Sequence, residues 1–178
     1  YVAGFQQFDY PVHTLQVDSG STTITVAPGA QTGLFSSVGR LDAHTYRPNE
    51  FFANNWVYEG LVEYGRDGRI LPSLATTWEI ADTNSGGLSY TFTLRQNVSF
   101  HDGASWNCTV AKLNFDHVFA GPLTGGGWHG WYGLPGQVTS VVCTGDYTLV
   151  LTTRDQYYPT LQELAFIRPM RFMSPNAF

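Results

Sequence analysis

Tyr90-Thr91-Phe92-Thr93-Leu94-Arg95 alternates large apolar residues with Thr and Arg, and Tyr147-Thr148-Leu149-Val150-Leu151-Thr152 alternates in the same way. Successive side chains of a strand point to opposite faces, so each stretch has one face for a core and one for solvent. A strand covered on one side only is the mark of antiparallel pairing, since parallel strands are apolar on both faces. Turn signals precede both stretches, at Gly86-Gly87 and at Gly145-Asp146.

Outward from these strands the period changes. Asn107 is placed to cap a helix running to about Phe119, with Val110, Leu113 and Phe119 expected inward. From Pro48 to Tyr64 the residues Phe51, Phe52, Trp56, Val57, Leu61 and Val62 recur at roughly helical spacing, with Pro48 suited to a first turn. Arg66-Asp67-Gly68-Arg69 reads as a turn. A last short helix fits Pro159 to Phe166. Gly121 to Gly136 reads as a long loop rich in Gly and Trp. Thr22 to Ala27 is β-branched and strand-like, and residues 1–21 before it form an expected amino-terminal arm. The expectation is one domain from 22 to 178, of mixed α and β (α+β) class, with antiparallel strands and a few short helices.

Composition narrows the function classes. Of the 178 residues 43% are hydrophobic, 15% aromatic and only 13% charged, which suits a globular chain with ample core. A formal net charge of -5 argues against a general nucleic-acid binder, which needs basic surface for phosphates. No apolar run approaches the roughly 20 residues that span a bilayer. The start, Tyr1-Val2-Ala3-Gly4, has neither the basic residues nor the apolar core of a signal peptide. The two cysteines, Cys108 and Cys143, are compatible with one bridge or with two thiols. Their places at a helix start and a strand edge, in a chain with a secreted character, favour the bridge. Asn97-Val98-Ser99 and Asn107-Cys108-Thr109 have the form of glycosylation acceptors, to be used only in a eukaryotic source.

Catalytic patterns are missing. The sequence has no Gly-x-Ser-x-Gly elbow, no phosphate-cradling glycine loop before a helix and no His-Glu-x-x-His. His13, His44, His101, His117 and His129 are scattered without ligand spacing, and a structural or surface role suits each better than a metal. Asp102, ahead of Gly103 in a turn, is placed to accept from nearby backbone. The chain is therefore expected to be no enzyme and to hold no cofactor or metal of its own. Two features point to binding. Gly125 to Tyr132 sets Trp128, Trp131 and Tyr132 among glycines, which suits either a ligand loop or a lid over the domain's own core. Arg168, in Ile167-Arg168-Pro169-Met170-Arg171-Phe172, needs a carboxylate if buried, whether internal or on a ligand.

Several segments in order carry a resemblance. They are Leu41 to Tyr46, Val57-Tyr58-Glu59-Gly60-Leu61-Val62-Glu63-Tyr64, Asp67-Gly68, Leu71 to Glu79, Tyr90 to Arg95, and Val98-Ser99-Phe100-His101-Asp102-Gly103. From about residue 22 onward they resemble the extracytoplasmic solute-binding proteins of peptide and nickel ABC importers. Tyr157 to Ala165, with Arg168-Pro169 and Arg171-Phe172, is similar to the nickel-binding branch. The resemblance implies a two-lobed periplasmic-binding-protein-like fold, of which this chain is part of lobe one.

It also implies a function and a site. The protein would capture a peptide or a small metal chelate outside the cytoplasm and pass it to an ABC permease. It would do so together with the remaining part of its own polypeptide. Arg168 would hold carboxylates of a chelator, and Trp131 and Tyr46 would line the same cavity. Trp128 stands where the nickel branch has a second cavity arginine, and Phe51 where it has a methionine. A lost cation and a gained ring favour a flatter or less acidic ligand. The alternative is a secreted structural or interaction module that reuses the lobe-one fold in a surface assembly.

Overall fold

The computed structural model describes residues 43–44, 51–120, 132–167 and 170–178, all within a unit that spans Ser37–Phe178. The proposed arm, the domain start at residue 22 and the strand at 22–27 lie outside these residues.

Four strands form one antiparallel sheet: β3 (Ala75–Asp82), β4 (Leu88–Leu94), β5 (Val138–Gly145) and β6 (Thr148–Thr153), in the order β3-β4-β6-β5. The mixed class and the antiparallel pairing follow the sequence reading. Phe92 faces Leu149 and Tyr90 faces Leu151 across the central pair. Leu88, Tyr90, Phe92, Leu94, Leu149 and Leu151 are all buried on one side of the sheet. Onto that side packs α2 (Cys108–Ala120), against β5 and β6. A separate hairpin of β1 (Val62–Tyr64) and β2 (Ile70–Pro72) closes around the expected turn at Arg66 to Arg69 and packs on α4 (Thr160–Ala165).

Local chemistry explains the joints. Asn107 Oδ1 accepts from Val110 N at 3.0 Å, the expected cap of α2. The β3–β4 turn needs glycine twice. Gly86 has φ 91°, and a Cβ on Gly87 would collide with the Thr153 carbonyl. Thr153 Oγ1 also accepts from Leu88 N at 3.1 Å, which ties β6 to the start of β4.

Five expectations need correction. The helical run from Pro48 to Tyr64 is helix only over α1 (Phe51–Val57), and Val62 to Tyr64 is strand. Leu61 and Val62 are buried, as their spacing suggested, but from extended backbone. Leu113 is exposed, because α2 buries Val110, Ala111, Asn114, Phe115 and Val118, a face that leaves position 113 outside. The loop expected to reach Gly136 ends in a helical turn, α3 (Leu134–Gln137), with Pro135 in its first turn. Tyr147 lies in the two-residue turn between β5 and β6 and not in the strand. Finally, β3 and β5 were not expected at all.

Candidate functional site

The most unusual side chain is Arg171. It is 2% exposed, yet no carboxylate lies within 4.0 Å of it among the described residues. Its Nη2 donates to the Ala165 carbonyl at 3.0 Å and to Asn55 Oδ1 at 3.3 Å, and its Nη1 to the Met170 carbonyl at 3.2 Å. Nε has no partner. Burial pushes the guanidinium down to about 10, partly offset by the charge of Glu63. Gly60 makes the room, since a Cβ there would overlap Nη1.

The backbone of Arg171 is anchored as well. His44, 1% exposed, brings Nε2 to 2.7 Å from the Arg171 carbonyl oxygen. A carbonyl only accepts, so Nε2 carries a proton and donates to it, while Nδ1 stands 2.9 Å from His117 Nδ1. Both histidines are therefore structural, as the sequence suggested.

Beside this hub lies an aromatic recess of about 360 Å³ lined by Tyr64, Tyr132, Gln162, Glu163 and Phe166. The Tyr132 and Phe166 rings stand 5.8 Å apart. Glu163 holds the recess together: its carboxylate accepts from Gly133 N at 3.0 Å, Leu134 N at 2.8 Å and Tyr157 Oη at 2.5 Å. Burial and donation to that carboxylate push the Tyr157 hydroxyl up to about 12.

A second cleft, of about 240 Å³, runs between the segment after α1, the turn at Val98 to Asp102, and Phe172 to Ala177. Trp106 and Phe172 form its floor, with their rings 5.0 Å apart, edge to face. Asp102 accepts from Ala104 N as expected, and also from Ser174 Oγ and Asn176 Nδ2. These bonds hold its carboxyl below the usual range.

Of the residues singled out in the sequence, Cys108 and Cys143 are joined by a disulfide, with Cα atoms 5.8 Å apart. Asn97 is exposed with φ 58°, whereas Asn107 is occupied in capping α2. Tyr46, Trp128, Trp131 and Arg168 lie outside the described residues. No group of three or more potential metal-binding side chains occurs among the described residues. Arg171, Glu163 and the role of His44 were missed. A signal for Arg171 existed, because it sits between Met170 and Phe172-Met173 with no polar neighbour.

Residues 69–176 match the bacterial extracellular solute-binding proteins, family 5 (middle region). The nickel-binding periplasmic protein of Escherichia coli (strain K12) is 39% identical over 142 residues, which are 80% of this chain and 26% of that protein. NikA from Brucella suis, solved in complex with Fe(III)-EDTA, superposes with a TM-score of 0.70 at 40% identity, over 79% of this chain and 27% of that one. An ABC transporter substrate-binding protein from Sinorhizobium meliloti gives 0.67 at 28% identity, with the same coverage. The chain thus spans about a quarter of the length of the relatives it matches.

Proposed function

The chain belongs to the bacterial extracellular solute-binding proteins of family 5, and from that membership we propose that it is part of lobe one of a protein that captures solute for an ABC importer. Capture would take place outside the cytoplasmic membrane, by binding alone and without chemical turnover. The ligand class is a small carboxylate-bearing metal chelate or a peptide. Arg168 would bind its carboxylate as a planar fork, and Trp131, Trp128 and Tyr46 would supply flat apolar walls.

One observation carries this reading: the described chain neighbours of three of these residues converge on one hub. His44, two positions before Tyr46, bonds the Arg171 carbonyl. Tyr132, next to Trp131, packs on Phe166, two positions before Arg168. Ala165 and Met170, on either side of Arg168, both accept from the Arg171 guanidinium. The sequence similarity to the nickel-binding protein supports the chelate class over the peptide.

The test is calorimetric titration of the full-length protein and its Arg168→Ala variant with Fe(III)-EDTA. Loss of one charge-assisted contact is expected to weaken binding by about 1.5–3 kcal/mol, or roughly ten- to a hundredfold. Unchanged affinity in a folded variant would make Arg168 structural.

A further inference from the structure

We infer that Cys143 is a site of reversible S-thiolation: a small aliphatic thiol opens the Cys108–Cys143 bond by attacking Cys143, and Cys108 is the sulfur that leaves. The two halves of the bond are unequal. Cys108 is 0% exposed and belongs to the hydrophobic core. Cys143 is exposed, as are its chain neighbours Val142 and Thr144. It stands on β5, which has no further strand on its outer side among the described residues. A thiolate must reach the sulfur that it attacks. Solvent therefore offers it Cys143 and withholds Cys108.

The inner half suits the leaving sulfur. Cys108 Sγ lies 3.2 Å from the Thr148 carbonyl oxygen. While bonded to Cys143 that sulfur has no proton to give, but as a thiol it donates to this carbonyl from where it stands. Cys108 is also the first residue of the 13-residue helix α2, whose positive end steadies charge on a departing thiolate. The step is an exchange without net oxidation. The incoming sulfur bonds to Cys143 Sγ, the Sγ–Sγ bond breaks, and its electron pair goes to Cys108 Sγ. Cys108 then takes a proton from water and donates it to the Thr148 carbonyl. One external thiol is consumed and one buried thiol appears. Attack by Cys108 on the adduct expels the external thiol and restores the bond, so the modification is reversible.

The test exposes the folded full-length protein to 2-mercaptoethanol, stops exchange with acid at short times, and locates the adduct by peptide mass spectrometry. The adduct is expected on Cys143 at least about tenfold over Cys108, and bond opening should speed up in proportion to thiol concentration. Single variants give a second readout with 2-hydroxyethyl disulfide. The free Cys143 of Cys108→Ala should form a mixed disulfide at least about tenfold faster than the free Cys108 of Cys143→Ala. Unfolding in urea should bring the two rates together. An adduct chiefly on Cys108, or equal rates in the folded variants, would overturn the assignment. So would an opening rate independent of thiol concentration, because the bond would then be reached only after the fold has opened.

Discussion

Glu163 shows how one carboxylate can organise a loop end. It accepts from two successive backbone amides and from the Tyr157 hydroxyl, and so fixes residues 132–134 against α4. Substituting Glu163→Gln removes the charge from three hydrogen bonds and should cost about 1–3 kcal/mol, read by denaturant unfolding. The Tyr157 phenol should move back toward 10.0 in that variant, followed by ultraviolet titration. The raised phenol also fixes a sign. Its proton is held more tightly in the folded state, so this contribution is complete below pH 10.0 and fades as pH rises toward about 12. Tyr157→Phe should lower stability at neutral pH, where the bond to Glu163 is intact, and flatten the profile between pH 10.0 and about 12. None of this was legible in Tyr157-Tyr158-Pro159, where neither tyrosine carries a mark of burial. Arg171 was hidden for a related reason: its inward turn depends on Gly60 and on Asn55 of α1, far away in sequence.

At the level of elements, legibility followed burial. β4 and β6 are central and covered on one face, so their alternation was plain in the residues themselves. β3 is an edge strand exposed along nearly all its length, and its order of Thr, Trp, Glu, Ile and Ala has no period to read. β5, also at an edge, did carry a signal in Val138, Thr139, Val141, Val142 and Thr144. The run from Phe51 to Val62 misled because two buried residues of a following extended segment fell by chance on helical spacing. The cysteine bridge was anticipated from the places of its two partners, and its energetic consequence can be measured. It joins α2 to β5 across 35 residues of sequence, so reduction should destabilise the fold by about 3–4 kcal/mol. Thermal melts with and without reductant, compared with a Cys108→Ala/Cys143→Ala variant, check this. Equal melting temperatures would mean the bond constrains nothing that packing does not already fix.

For the whole molecule, the family was legible because its marks are spread along the chain in order, from Leu41 to Phe172, and do not depend on any one site. Of the proposed ligand residues, Trp128, Trp131 and Arg168 stood out locally, Tyr46 was reached only through that resemblance, and the resemblance alone joined the four into one site. The reading also makes a prediction about parts and wholes. If the ligand is held between two lobes, the 178-residue chain by itself should show no measurable affinity for Fe(III)-EDTA in the titration that detects binding by the full-length protein. Tight binding by this chain alone would mean that one lobe is enough.

The Cys108–Cys143 bond has one further consequence. A strand at a sheet edge offers its unpaired backbone to any passing chain, and β5, the edge of its sheet among the described residues, is rich in the β-branched residues that make such templates effective. Sliding by a single position would also turn Val141, the buried residue of β5, away from the core. With Cys143 tethered to the first residue of α2, the strand can neither slip nor peel off to recruit a neighbour. The bridge is thus a safeguard against aggregation as much as a source of stability, and production in a reducing compartment should show its loss first as insoluble protein.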